Sequence, residues 1–288
     1  MISIIKLMRI KQYVKNLFIF IPIFFSGKIT DLFFLRDVSL TFVFFSVLAS
    51  SVYIINDVID SDDDKKHPVK KNRPIASGLV SKKFAVLVSI ILLLISLICT
   101  FLLLGYIVTL VFLLYFIVNL FYCFVLKHIA IIDIFIIGFG FVIRILAGSI
   151  VCIAPLSEWI IVMVFMLSLF MGIAKRRDDV IYYIKDGTKM RSSVDGYSIE
   201  LINSLMTIMG AVIIVAYIMY TLSPDVAAFK SPNFIYTTLW VIIAIFRYFQ
   251  LSLVFNKTGS PTEILYKDRI IQMCIIAWGF MVGYFIYI

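Results

Sequence analysis

Long apolar runs alternate with short charged stretches from one end of the chain to the other. Nine such runs occur, near residues 13–27, 37–59, 84–104, 106–126, 130–152, 157–174, 200–222, 233–254 and 270–288. Most reach the ~20 residues that a helix needs to cross a hydrocarbon core. Lipid offers no water to an exposed backbone, so each run is expected to be helical. The pattern predicts an all-α integral membrane protein: a nine-transmembrane-helix bundle forming one polytopic domain over residues 1–288. The first run is short and is interrupted by Pro22, which should kink or tilt it. Gly105 and Pro155 mark tight connections, making hairpins of the third and fourth runs and of the fifth and sixth. No internal repeat is visible.

Composition agrees with the pattern. Of the 288 residues 62% are hydrophobic and 15% charged, with a mean hydropathy of +1.08, where a soluble domain carries roughly 25% charged residues. The basic N-terminus is followed by no small-residue cleavage site, so no cleavable signal peptide is expected. Cys99, Cys123, Cys152 and Cys274 sit singly in apolar runs without a CxxC pair, which points to packing. No Ser-His-Asp grouping, GxSxG, Walker loop or GxGxxG occurs.

Charge gives the bundle a direction. With nine crossings, the N-terminal tail and the loops after the second, fourth, sixth and eighth runs share one side, and that side carries 21 of the 26 Lys and Arg residues. The positive-inside rule places it in the cytoplasm. The net charge of +9 then forms a cytoplasmic floor that attracts anionic headgroups and phosphorylated solutes. A nucleic acid partner is disfavoured, because no extended soluble domain exists to dock one.

The densest chemistry follows the second run, Tyr53 to Gly78. At 100° per residue Asp57, Asp60 and Asp64 fall at about 0°, 300° and 340° of a helical wheel, with Asn56 alongside. Three carboxylates on one stripe repel one another unless something positive lies between them, and Mg²⁺ is the natural counter-ion. Lys65, Lys66, Lys70, Lys71 and Arg73 follow at once and suit phosphate oxygens. A solvated charged loop is the plain alternative, but it gives no reason for acids at helical spacing beneath a span. Further mixed charge lies on the same side: Lys127 and His128 before Asp133; Lys175, Arg176, Arg177, Asp178 and Asp179; then Lys185, Lys189, Arg191 and Tyr197; and Glu263, Asp268 and Arg269. Asp133 and Arg144 share one helix face about 16 Å apart. A charge within a span should point into the bundle, so Arg144 is either one half of an ion pair or a phosphate ligand. Arg247 poses the same choice. Gly138, Gly140 and Gly148 are read as close-packing positions.

Asn56-Asp57-x-x-Asp60-x-x-x-Asp64 resembles the first aspartate-rich motif of the UbiA superfamily of membrane prenyltransferases. The continuation His67-Pro68-x-Lys70-x-x-Arg73-Pro74-Ile75-Ala76-Ser77-Gly78 is similar to the decaprenyl-phosphate phosphoribosyltransferase branch. Shorter agreements extend over nearly the whole chain: Arg9-x-Lys11-Gln12-Tyr13-Val14-Lys15-Asn16, Leu126-Lys127-His128 with Asp133, Arg144-x-x-Ala147-Gly148, Lys175-Arg176, Arg191 to Tyr197, Arg247-Tyr248, and Pro261 with Asp268-Arg269. Departures are Ile10 and Tyr13 in place of Pro and Trp, and Asp179 in place of Glu. A full second aspartate-rich motif is missing; only Asp133 stands there, which favours the phosphoribosyl branch.

The resemblance implies a Mg²⁺-dependent transferase. It would move 5-phosphoribosyl from phosphoribosyl diphosphate (PRPP) to a polyprenyl phosphate, upstream of arabinose-type cell-wall donors. Asn56, Asp57, Asp60 and Asp64 would hold the metal, the three aspartates being the catalytic set. Lys15, Asn16, Lys70, Arg73, Lys127, Asp133, Arg144, Lys175, Arg176, Arg191 and Tyr197 would bind substrates. The expected setting is the cytoplasmic membrane, with the N-terminus and site on the cytoplasmic face, membrane lipids as neighbours, and room for a homo-oligomer. The rival readings are prenyl transfer to an aromatic acceptor, a transporter, for which repeated halves are lacking, and a scaffold.

Overall fold

The computed structural model describes residues 2–66, 70–187, 192–223, 232–256, 264 and 267–288. Its contacts fall into two compact units, Met1–Lys127 with Gly140–Leu156, and His128–Phe139 with Ser157–Ile288. Among the described residues there is no strand, as the lipid argument requires.

The first unit contains α1 (Ile2–Met8), a 3-10 segment (Ile10–Phe20), α2 (Ile21–Phe25), α3 (Leu32–Ile59), α4 (Ser61–Lys66), α5 (Lys82–Leu104) and α6 (Tyr106–Phe124). The helix α7 (Ile132–Val151) gives its second half to this unit and its first half to the other. The second unit adds α8 (Glu158–Asp186), α9 (Ile199–Leu222), α10 (Thr238–Phe249), which runs on as a π-helical turn over Gln250–Val254, and α11 (Arg269–Tyr287). Short polar side chains open the helices where the apolar runs begin. Asp31, Ser81, Ser198 and Asp268 accept from the backbone N–H of Phe33, Phe84, Leu201 and Ile271 at 2.9, 3.3, 3.1 and 3.0 Å, each satisfying a donor that the first turn leaves orphaned. Gly105, at φ +91°, makes the predicted turn between α5 and α6.

Among the described residues eight helices are long and apolar enough to cross a membrane, matching eight of the nine expected runs. The first run is the exception. It does not kink within one helix but changes type, from 3-10 to α at Ile21, with Pro22 in the first turn of α2, where its missing N–H costs nothing. The sixth run also differs: α8 continues past the apolar stretch to Asp186 and stops at Gly187, φ +68°. The charges of residues 175–179 end the span but not the helix.

In the first unit Ile19, Phe45, Phe112, Tyr115 and Ala147 pack in one core, with the Phe45 and Phe112 rings edge-on at 5.1 Å. Buried hydroxyls join α3 to α5: Ser51 to Ser89 at 2.9 Å, and Ser96 to the Phe44 carbonyl at 2.8 Å. Small polar residues of this kind bring helices close where lipid supplies no hydrophobic drive. In the second unit Ile134, Phe170, Met206, Ile245 and Tyr248 form the core. All four cysteines carry free thiols, three of them buried.

Gly148 is sterically required. A Cβ on Gly148 would collide with the backbone carbonyl of Ile19, which has no flexible side chain to yield. Gly148→Ala should therefore destabilise the protein by about 1–3 kcal/mol, read as a lower melting temperature in detergent. An equal substitution at Gly279, inside the last helix where a Cβ meets nothing within 4 Å, should leave the temperature unchanged or raise it slightly.

Candidate active site

The acid stripe forms where α3 ends. Asp60 is the C-cap of α3, yet the backbone bonds Asp60 N→Asn56 O (2.9 Å) and Asp64 N→Asp60 O (2.8 Å) carry the helical register into α4. The stripe read from spacing is thus realised across a break. Asp57 and Asp64 are each 2% exposed, and burial on this scale demands a partner.

That partner is a set of cations from the same chain. Arg9 donates to Asp57 twice, from Nε at 3.1 Å and from Nη2. Arg73 Nη1 bridges Asp57 Oδ1 at 3.0 Å and Asp64 Oδ2 at 2.6 Å. Asp60 accepts from Asn56 Nδ2 at 3.0 Å and from Lys127 Nζ. Such charge-assisted bonds are the strong class. Arg9, which the sequence marks only as part of the motif ahead of the first run, is a member of the cluster. It sits at φ 52°, ψ 47°, a left-handed conformation that costs a non-glycine residue about 1–2 kcal/mol. From there its guanidinium also lies 5.6 Å from the centre of the Tyr53 ring. At the rim Asp62 is fully exposed, and its hydrogen bonds to Lys65 and then Lys82 bring its pKa down to about 2. It stays ionised at any working pH.

The donors suit a hard divalent ion in kind, being carboxylate and amide oxygens. One positive nitrogen already lies between Asp57 and Asp64, so the need for a cation there is met. Asp60, however, is turned to Lys127. Among the described residues no three His, Cys, Asp or Glu side chains converge as a metal cage. A metal ion would have to draw Asp57, Asp60 and Asp64 off their present partners.

The remaining candidates of the first unit divide into two groups. Lys15 and Lys70 are half-buried, on the 3-10 segment and on the short 3-10 turn Lys70–Asn72. Asn16 and Arg144 form a buried knot instead. Arg144 Nε donates to Asn16 Oδ1 at 2.8 Å, Nη1 to the Gly140 carbonyl at 2.7 Å and Nη2 to Tyr115 Oη at 3.0 Å, while Asn16 Nδ2 donates to Ser46 Oγ at 2.9 Å. The rings of Phe45, Tyr115 and Phe141 surround the guanidinium at 5.0–5.2 Å. None of these partners is a carboxylate, so of the two readings of Arg144 the ion pair is not formed, and dipoles and ring faces surround the guanidinium instead. Arg247 does form its pair, reaching Asp268 Oδ2 at 2.7 Å from Nη2. This bond holds the Asp268 carboxyl below the usual carboxylate range.

In the second unit Asp133 is fully buried. It accepts from Arg176 Nε at 2.7 Å, Ser193 Oγ at 3.1 Å and Tyr197 Oη at 2.7 Å. Tyr197 Oη in turn accepts from the Ile131 N–H at 2.7 Å. Burial first, then the bond to Asp133, pushes the Tyr197 hydroxyl above its ordinary pKa, so it remains a donor. Arg176 also reaches Asp179 at 3.4 Å, and Lys175 is exposed. Arg177 was not singled out for the site, yet it is 5% exposed and binds Asn203 Oδ1, the Ser252 carbonyl and Asn256 Oδ1 at 3.2, 2.7 and 2.9 Å. The Ser252 carbonyl lies in the π-helical turn, whose altered bonding lets side chains reach backbone oxygens. Among the residues named from the sequence, His67, Pro68, Lys189, Arg191, Pro261 and Glu263 lie outside the described residues.

The sequence profile of the UbiA prenyltransferase family matches residues 18–264. The chain belongs to that family. It is 33% identical to the decaprenyl-phosphate phosphoribosyltransferase of Mycolicibacterium smegmatis, over 99% of this chain and 92% of that protein. To the enzyme of the same name from Mycobacterium tuberculosis it is 31% identical, over 98% and 93%. Among solved structures it is similar to a UbiA homolog from Archaeoglobus fulgidus. The form bound to GPP and Mg²⁺ aligns with a TM-score of 0.68 at 21% identity, over 98% of this chain and 99% of that one. The form bound to DMAPP and Mg²⁺ aligns at 0.70 and 22%, over 97% and 98%. The chain thus has the multi-pass helical membrane fold of this family.

Proposed function

We propose that the chain transfers 5-phosphoribosyl from PRPP to a polyprenyl phosphate of the decaprenyl type, releasing diphosphate. The observation that carries this reading is the cluster of Asp57, Asp60 and Asp64 with Arg9, Arg73 and Lys127, its Asp57 and Asp64 buried, in a UbiA chain whose full-length mycobacterial relatives bear that name. The aspartates, with Asn56, are suited to a divalent ion, and Mg²⁺ accompanies the prenyl diphosphates in the Archaeoglobus structures. When bound, Mg²⁺ would neutralise charge growing on the departing diphosphate.

The chain's own residues do the rest. Arg73, Lys127, Lys15 and Lys70 are the cations of the first unit suited to the donor's phosphates. An acceptor phosphate oxygen attacks the anomeric carbon, a new C–O bond forms, and the C–O bond to diphosphate breaks. No protein nucleophile is needed, because the acceptor supplies one. Fixed cations stabilise the leaving group without reorganising at the moment of reaction. In the second unit Asp133, Arg176, Ser193 and Tyr197 are read as a scaffold holding the segment 192–197 to the start of α7, not as ligands. By the positive-inside argument the acid cluster faces the cytoplasm.

The test is transfer of label from radiolabelled PRPP into the organic phase, using purified protein, a polyprenyl monophosphate and Mg²⁺. Transfer should vanish with EDTA and return with excess Mg²⁺. Turnover of a prenyl diphosphate onto an aromatic acid, with PRPP inert, would replace this reading by prenyl transfer.

A further inference from the structure

The carboxylates assigned to the metal are neutralised, in this fold, by the chain's own side chains. Asp57, Asp60 and Asp64 face Arg9, Arg73 and Lys127, so the formal charges balance one for one. Arg9 and Arg73 are held hardest, because their partners Asp57 and Asp64 have side chains only 3% exposed.

This arrangement constrains what can enter. A divalent ion alone must displace guanidinium groups from buried oxygens and leave them without acids. A diphosphate alone brings negative charge against three carboxylates. Arriving together, the metal takes the carboxylates while Arg9 and Arg73 turn to phosphate oxygens, and every charge keeps a partner.

We propose that Arg9 and Arg73 are exchangeable counter-ions that make the site take a divalent metal and a diphosphate as one unit, with Arg9 the residue that holds metal alone at bay. The inference rests on the metal–diphosphate reading of the previous subsection. It adds a sign that reading lacks: removing the positive charge that occupies Asp57 should tighten the binding of metal alone. Coupling between two ligands through a shared set of partners is typically worth 5- to 150-fold in affinity.

Equilibrium dialysis of the full-length protein in detergent tests it, with radiolabelled Mn²⁺ alone, radiolabelled inorganic diphosphate alone, and both. Wild-type protein should retain each poorly and the two together in fixed ratio. Arg9→Gln should retain Mn²⁺ alone at about tenfold lower concentration, and Arg9→Lys, which restores the charge, should return it towards wild type. A merely structural role for Arg9 would not strengthen metal binding. Equal Mn²⁺ retention by wild type with and without diphosphate overturns the exchange, as does an Arg9→Gln protein that binds Mn²⁺ no better than wild type. Should Arg9→Gln fail to fold, the wild-type arms decide alone. No retention in any arm, with PRPP in place of diphosphate as well, overturns the metal–diphosphate reading itself and this inference with it.

Discussion

Asp57→Asn should reduce phosphoribosyl transfer by about 10²–10³-fold or more, the scale on which a preorganised electrostatic contact acts in a transition state. The amide keeps the shape of the side chain, but it cannot neutralise Arg9 and Arg73 together or offer a charged oxygen to a metal. Destabilisation should accompany the loss. Stripping one partner from a buried ion pair costs about 3–5 kcal/mol, but the Arg9 and Arg73 side chains are 23% and 25% exposed, and water recovers part of that. About 1–3 kcal/mol is expected after this discount. Initial rates at saturating PRPP, set beside melting curves of the same preparation, separate the two effects. A mutant that keeps its melting temperature and still loses transfer places Asp57 in the chemistry. Wild-type rates would remove it from the site.

Asp133→Asn should be the most damaging single change to stability. The carboxylate is fully buried against an Arg176 side chain that is itself 1% exposed, so the discount made for Asp57 does not apply. The expected cost is about 3–5 kcal/mol. Tyr197→Phe removes one hydrogen bond to Asp133 and one from Ile131 but leaves the ion pair intact, and should cost about 1–3 kcal/mol. The double mutant should be less damaging than the sum, since both changes act on one network. Thermal unfolding of the four proteins in one detergent measures the cycle. Additive losses would show that Asp133 and Tyr197 do not act together.

Most of the helices could be read from the chain, because an 18- to 25-residue apolar run in lipid has one backbone solution. Winding could not. The run from residue 13 contains the same apolar residues in a 3-10 as in an α segment, and no local signal separates the two. The extension of α8 was hidden because a charge cluster ends a span without ending a helix. At the site, the spacing of Asp57, Asp60 and Asp64 revealed the stripe and its need for positive charge. It did not reveal that Arg9, 48 positions away, supplies part of that charge. Arg144 shows the same limit. A charge within a span called for a carboxylate or a phosphate, but three aromatic rings and three neutral acceptors surround it. Arg176 and Arg177 are adjacent in sequence, and their burial in separate networks depends on partners from distant segments that spacing does not expose.

While Arg9 rests on Asp57, the 3-10 segment Ile10–Phe20 is moored at two points. Its Asn16 is tied to Arg144 and Ser46, and just ahead of it Arg9 is tied to Asp57. A 3-10 winding rises about 2.0 Å per residue against 1.5 Å for an α-helix. Over the seven residues 10–16, rewinding to α would therefore shorten the strut by about 3–4 Å. That exceeds the reach of a hydrogen bond, so one of its two moorings would be pulled loose. The winding thus acts as a gauge length between the membrane-embedded knot at Arg144 and the acid cluster at Asp57. An insertion or deletion between Arg9 and Asn16 would be felt as an error of length even where every side chain is preserved.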